Sequence, residues 1–311
     1  MCKEMTTIPR GWKATDIGNI SGKRFLITGG TSGIGKEAAR QLARAGGDVT
    51  ITARSAQKGE ATMAELGQGR LSYGILDLTD LKSVKNFAAS ITHDFDVLIL
   101  NAGVMATPLM RTKDGFEIQM GTNHLGHFAL AGLLRKQIKD RVVAVSSQAH
   151  RFGSFGDNSM SAIRARALAQ GQYKPWSAYG ASKLANLLFI HELHRRSQAK
   201  NWNITSVAVH PGWSATHLQS VGPEMRGAHF EEKVSSGMNS LFAQSSARGA
   251  LPTLCGATLP GIASSSYIGP DGLFEMRGYP KITRGISSSY DQNLASNLWS
   301  VSEELTGVQW L

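Results

Sequence analysis

Short β-branched apolar runs alternate along the chain with longer segments whose apolar residues recur every three or four positions, the pattern of strands joined by helices. The runs are Arg24 to Thr28, Asp48 to Thr52, Leu71 to Leu76, Asp96 to Leu100, Arg141 to Val145, Ile204 to Val209 and Ser266 to Ile268. Helical spacing falls at about 33 to 45, 55 to 66, 80 to 92, 114 to 139, 177 to 198 and 235 to 256. Near-continuous apolarity in Val97 to Leu100 and Val142 to Val145 fits strands buried on both faces. Right-handed crossovers then distribute the helices over both sides of the sheet. The expected fold is α/β: a doubly wound Rossmann fold whose parallel sheet has about seven strands.

Residues 1 to 22 read as an N-terminal extension and 23 to 311 as one domain. Stretches 148 to 176, 213 to 234 and 269 to 285, rich in Gly, Ser and Pro, are too interrupted to form sheet. The first two follow strands five and six. Ligands of open α/β sheets lie outside the carboxyl ends of the strands, so 148–176 and 213–234 are the expected pocket walls.

Charge narrows the partners. The 311 residues hold 33 Lys/Arg and 23 Asp/Glu, a net +10. Residues 1 to 60 carry ten basic side chains against five acidic, and residues 135 to 200 carry twelve against three. Neither region interleaves a polybasic run with aromatics or holds a nucleic-acid-binding motif, so no nucleic acid is expected. Region 135–200 leaves open an acidic substrate or partner. Cys2 and Cys255 form neither a disulfide framework nor a zinc pattern, and His191 and His194 lack a third ligand, so no metal is expected. The polar Met1 to Lys23 stretch and the lack of 18 uninterrupted apolar residues predict no membrane span and a cytoplasmic protein.

The first strand runs into Thr28-Gly29-Gly30-Thr31-Ser32-Gly33-Ile34-Gly35. Gly29, Gly33 and Gly35 permit a tight turn, close approach of a pyrophosphate to backbone N–H groups, and tight helix packing. The alternative is a plain strand-to-helix turn. At the end of strand two, where a carboxylate would accept from free ribose hydroxyls, stands Arg54, followed by Ser55. A guanidinium pairs well with phosphate, which favours NADP(H) over NAD(H), unless Arg54 is simply a solvated strand-end charge. Asp77, followed by Leu78, could accept from an adenine amino group, or cap the helix that begins near Asp80. Asn101, Ala102 and Gly103 put small residues where backbone must approach a flat ring or ribose.

Tyr179 and Lys183, at i and i+4, share one helix face. A free Tyr near pKa 10 is a poor base at neutral pH, and lowering it to about 7 takes about 4 kcal/mol. A neighbouring ammonium and the positive ring of an oxidised nicotinamide could supply that. Ser147, closing strand five, could hold a carbonyl oxygen where negative charge develops. Asn123 is a poor helix former, so it suggests a polar or water-mediated role, the alternative being an exposed helix residue.

These residues resemble the short-chain dehydrogenases/reductases, through T-G-x-x-x-G-x-G, N-A-G, the helix Asn, the strand-five Ser, Y-x-x-x-K, and Pro211-Gly212 with Thr216. The nearer likeness, over roughly residues 20 to 311, is to the retinol dehydrogenase and WW-domain oxidoreductase branch. It is carried by Asn101 to Ala106, Thr122 to Phe128 and Tyr179 to Leu188. The resemblance implies Tyr179 as general acid/base and Lys183 as the residue that binds ribose hydroxyls and lowers the Tyr pKa. It implies Ser147, with Ser146 as second choice, to polarise substrate, and Asn123 to support a water relay. It also implies Pro211, Gly212 and Thr216 at the nicotinamide carboxamide, and pairing of copies through two long helices. Ala144 stands where this family often has Asn.

The expected activity is an NADP(H)-dependent interconversion of an alcohol and a carbonyl, the hydride belonging to the nicotinamide and the proton to Tyr179. Ser147 and Tyr179 are the expected substrate contacts. His150, Phe152, Phe155, Tyr173, Trp176, Met105, Met110 and Trp213 are candidates for an apolar pocket, with ordinary packing as the alternative. The competing function is a non-catalytic NADP(H)-binding regulatory module.

Overall fold

The structure, a computed structural model, describes residues 7–67, 70–213 and 244–310. Eight strands form one sheet in the order β3-β2-β1-β4-β5-β6-β7-β8. They are β1 (Arg24–Ile27), β2 (Asp48–Ala53), β3 (Leu71–Ile75), β4 (Phe95–Leu100), β5 (Ile138–Val145), β6 (Thr205–Val209), β7 (Ser266–Pro270) and β8 (Pro280–Thr283). All neighbours are parallel except β7 and β8, which pair antiparallel through Tyr267↔Thr283 and Ile268↔Ile282. This is the doubly wound Rossmann architecture, with eight strands in place of about seven. The eighth lies in the stretch 269–285 expected to be irregular. Pro280 begins it and breaks the apolar run, a position an edge strand tolerates.

Strand alternation sends side chains into two cores. Leu26, Leu98, Leu100, Val142 and Ala208 face one side, with Phe128 and Leu187. Phe25, Ile27, Val97, Ile99, Val143 and Val207 face the other, with Ala38, Leu42 and Leu254. Trp12, in the N-terminal extension, is only 2% exposed and belongs to this second core.

The helices are α1 (Gly33–Arg44), α2 (Ala56–Leu66), α3 (Leu81–Ser90), α4 (Ile118–Met120), α5 (Gly126–Leu133), α6 (Met160–Ala167), α7 (Pro175–Ala199), α8 (Ser246–Gly249), α9 (Leu251–Thr258) and α10 (Gln292–Thr306). The helical pattern at 114–139 is divided: α4 passes through a π-type turn, Gly121–Leu125, into α5, and β5 already begins at Ile138. Ile138 pairs with Phe95, so sheet pairing takes the end of the apolar period. Stretch 148–176 is not wholly irregular, since it holds a 3-10 turn, Gln148–Phe152, and α6. The pattern at 235–256 appears as α8 and α9 from Ser246; its earlier part, like 214–234, lies outside the described residues.

α10 was not anticipated. Its Asp291 cap accepts from Asn293 and Leu294 N–H, and Gly307 closes it in the left-handed conformation. Trp299 from α10 and Trp310 beyond it pack against Phe128 of α5 and Phe189 of α7. These faces of α5 and α7 are thus covered from within the chain. No helix among the described residues is long and apolar enough to cross a membrane.

Candidate active site

The strand order reverses between β1 and β4, and a cleft of ≈ 1180 Å³ opens at the carboxyl ends of the central strands. Its lining includes Gly29, Thr31, Ser32, Gly33, Ile34, Gly35, Arg54, Asp77, Leu78, Asn101, Ala102, Gly103, Ser147, Tyr179, Lys183, Pro211 and Gly212. Of the residues singled out from sequence, Asn123 lies buried behind the wall and Thr216 falls outside the described residues.

The glycine loop is shaped by close approach. Gly29 has φ +67°, and a Cβ there would stand 2.9 Å from Ala102 Cα. A Cβ on Gly35 would meet Asn101 Nδ2 at 2.3 Å, so Gly35 lets α1 seat against the end of β4. Ser32, the N-cap of α1, makes no side-chain capping bond, so the helix's first N–H groups stay available to an anion. Arg54 is exposed, and among the described residues it has no ion-pair partner. Lys58, one turn into α2, also lines the cleft and is likewise unpaired there. Sequence reasoning passed over Lys58, although its i+4 spacing from Arg54 was visible.

Asp77 does not cap α3; Asp80 does, accepting from Lys82 N at 2.9 Å. Asp77 Oδ1 instead accepts from Thr79 N and Thr79 Oγ1, at 2.9 and 2.7 Å.

At the inner end, Tyr179 and Lys183 emerge from the buried stretch of α7. Lys183 Nζ lies 5.7 Å from the Tyr179 ring centroid and donates to Val145 O at 3.0 Å, a carbonyl that also accepts from Asn186 Nδ2 at 3.0 Å. Ser147 lines the cleft with Tyr179, and its Oγ accepts from Ala149 N at 3.2 Å. Ser146 also lines the cleft, but its hydroxyl is engaged, donating to Lys183 O at 2.8 Å. Burial pushes the Tyr179 hydroxyl up to about 12, with the Ser147 hydroxyl pulling the other way. Burial brings Lys183 down to about 8. The lowered Tyr pKa expected from sequence also draws on the positive ring of an oxidised nicotinamide, which burial and Ser147 do not replace. Burial holds Tyr179 as a phenol, a proton donor at neutral pH.

Asn123 sits in the π-type turn at 0% exposure, not on the helix surface. Its Oδ1 accepts from Val104 N at 2.8 Å, and its Nδ2 donates to Val104 O and Ser182 Oγ, both at 2.9 Å. The side chain thereby locks the segment after Gly103 against α7.

Of the apolar pocket candidates, Met105, Phe152, Trp176 and Trp213 line the cleft. Phe155 is core, His150 is fully buried with Nδ1 2.7 Å from Ser147 O, and Met110 is exposed outside the cleft. The Tyr173 hydroxyl lies 3.0 Å from Thr107 O and 2.9 Å from Gln119 Nε2, which makes it a brace for the loop. His191 and His194 face Ser265 and Ser264, and among the described residues no three His, Cys, Asp or Glu gather as metal ligands.

The sequence profile of the short chain dehydrogenase family matches residues 23–165. The chain is 34% identical to human (Homo sapiens) retinol dehydrogenase 13, covering 93% of this chain and 86% of that one. It is 37% identical to Mus musculus retinol dehydrogenase 12, covering 94% and 88%. A solved structure of an uncharacterized protein from Mycobacterium Paratuberculosis superposes with a TM-score of 0.82 at 37% identity, covering 97% of this chain and 99% of that one. With its fold, glycine loop and Tyr/Lys helix in agreement, the chain belongs to the short-chain dehydrogenase family, in its retinol dehydrogenase-like branch.

Proposed function

We propose that this protein is an NADP(H)-dependent oxidoreductase that interconverts a lipophilic alcohol and its carbonyl, with Tyr179 exchanging the proton. The carrying observation is that Tyr179, Ser147 and Lys183 meet in the same cleft as the glycine loop. The cleft exceeds the range of about 300–1,000 Å³ usual for a drug-sized ligand, which supports room for a dinucleotide and a second molecule. Relatives bearing the name retinol dehydrogenase support a lipophilic pair.

The fit to a dinucleotide rests on the close backbone approach at Gly29 and Gly35 and on the N-terminus of α1, whose N-cap Ser32 makes no side-chain capping bond. Gly29 to Gly35 would hold the pyrophosphate, Asp77 the adenine edge, Asn101 to Gly103 and Lys183 the riboses, and Pro211 and Gly212 the carboxamide. Arg54 and Lys58, neither with an ion-pair partner among the described residues, supply two cations where a 2′-phosphate would stand, which favours NADP(H). When bound, the nicotinamide supplies or takes the hydride. Ser147 orients the carbonyl oxygen, and Tyr179 O–H gives that oxygen its proton as charge develops on it. In the opposite direction the phenolate form must take the proton, and the Lys183 ammonium nearby stabilises that form.

Purified protein should oxidise NADPH in the presence of a lipophilic aldehyde, read by nicotinamide absorbance. Tyr179→Phe should lose turnover while still binding NADPH. Equal turnover by that variant would refute the role, and NADPH binding without turnover of any carbonyl by the wild type would favour a regulatory module.

A further inference from the structure

Between β7 and β8 the chain makes an excursion, residues 271–279, closed at its base by Asp271 N to Tyr279 O at 2.7 Å and Gly272 N to Arg277 O at 2.9 Å. At its tip Phe274 and Glu275 have φ of +51° and +56°. Among the described residues no other two adjacent non-glycine residues share this left-handed conformation. A bulky Phe there is strained unless its surroundings hold it.

Glu275 is what holds it. Its carboxylate, 16% exposed, accepts from Gln148 Nε2 at 2.6 Å, from the Thr283 hydroxyl, and from His210 Nε2 at 3.1 Å. The His210 tautomer follows from its other nitrogen: Nδ1 accepts from Gly212 N at 3.2 Å, so Nε2 carries the hydrogen. Burial opposes ionisation of Glu275, yet the bonds from His210, Thr283 and Gln148 bring it down to about 2. Trp213 N also donates to Met276 O at 2.7 Å, fastening the excursion to the segment after β6. With the carboxylate pinned inward, the Phe274 ring is left 79% exposed yet lines the same cleft as Tyr179. Phe152, 77% exposed, and Trp176, 44% exposed, line it too. Large rings facing water at a cleft indicate an apolar body that covers them.

Resting on the oxidoreductase reading above, we propose that the turn Leu273 to Met276 is the specificity element of the cleft. Phe274 grips the apolar body of a carbonyl substrate, and Glu275 is a positioning residue that fixes the ring through His210, Gln148 and Thr283. Selectivity for long over short carbonyl compounds comes from this turn.

The test compares propanal and decanal with wild type, Phe274→Ala, Glu275→Ala and Glu275→Gln. Decanal binding is read from quenching of tryptophan fluorescence, and turnover from NADPH absorbance. Phe274→Ala should weaken decanal binding about tenfold, and its loss of kcat/KM should be about tenfold greater for decanal than for propanal, carried mainly by KM. Glu275→Ala should act in the same sense, and Glu275→Gln, which keeps one acceptor oxygen, should recover part of the loss. Unchanged decanal binding in Phe274→Ala, or an equal loss for both aldehydes, would overturn the inference whether or not the Ala variant at 275 folds. Absence of turnover of either aldehyde by the wild type would instead count against the oxidoreductase reading, the binding comparison still deciding the role of Phe274.

Discussion

His127 Nε2 lies 2.8 Å from Thr28 Oγ1, joining the end of β1 to α5. The direction of that bond follows from the other nitrogen. His127 Nδ1 sits 3.0 Å from Asn123 O, which can only accept, so Nδ1 carries the hydrogen. Burial brings the ring down to about 4, so it is neutral and Nε2 is an acceptor for the Thr28 hydroxyl. Thr28 Oγ1 then accepts from Asn101 N and Ala102 N at 2.9 and 3.0 Å. One hydroxyl thus ties together the glycine loop, the end of β4 and the π-type turn.

Thr28→Val should therefore leave two partly buried N–H groups without an acceptor. The expected cost is about 1–3 kcal/mol of stability in urea unfolding, with weaker NADPH binding alongside. A variant within about 0.5 kcal/mol of wild type, the range of ordinary surface changes, would contradict this role.

Arg54 and Lys58 decide between the two nicotinamide cofactors if their charges meet a 2′-phosphate. Arg54→Glu with Lys58→Glu should raise the Kd for NADPH at least about tenfold relative to that for NADH, because a repulsion replaces an attraction. Titration of both cofactors at fixed salt measures the ratio, and an unchanged ratio removes the argument for NADP(H).

Acid should unfold the protein early. Burial holds His124 at about 3 and His127, His150 and His191 at about 4, against 6.5 for an ordinary His. Between about pH 6.5 and 4 the unfolded chain therefore binds more protons than the folded one, and stability falls as pH falls. Each group contributes at most about 1.4 kcal/mol per pH unit in that window. Glu275 adds its own loss only below 4.5, as pH drops toward its folded value of about 2. Thermal melts from pH 7 to 4 should show a steep fall in Tm; a flat profile from 7 to 4.5 would exclude these histidines as the cause.

The aromatic cluster under α10 should be a main support of α5 and α7. Trp299 is 2% exposed and stacks on Phe189 at a centroid distance of 5.8 Å. Trp299→Ala should cost about 3–5 kcal/mol. Trp299→Phe should cost less, since among the described residues the buried Trp299 Nε1 has no hydrogen-bond partner to lose. Denaturant unfolding of both variants checks the order. Because Phe128 and Phe189 are covered in this way, a pairing of two copies would have to use other surfaces than these faces of the two helices.

Much of the architecture was legible in linear order, because strand alternation and helical period are local properties. The β1 to β6 runs, the glycine loop and the i, i+4 pair of Tyr179 and Lys183 each lie within one element and its neighbours. The π-type turn was hidden inside an apolar period that continues across it, and β8 inside a Gly- and Pro-broken stretch. α10 had readable caps in Asp291 and Gly307, but its function as a cover for Phe128 and Phe189 depends on contacts more than a hundred residues apart.

By itself the sequence determined the fold class and the placing of the glycine loop and the long loops at strand ends, since these follow from periodicity and spacing, while the residues expected to carry hydride chemistry rest on the family resemblance of its motifs. Only the tertiary structure tied the Ser146 hydroxyl to Lys183 O, made Asp80 rather than Asp77 the cap, and buried Asn123. It also turned Tyr173 into a brace and left Phe274 facing the cleft. Each of these depends on which distant group offers a donor, an acceptor or a covering surface, and the folded chain alone brings His210, Gln148 and Thr283 to one carboxylate.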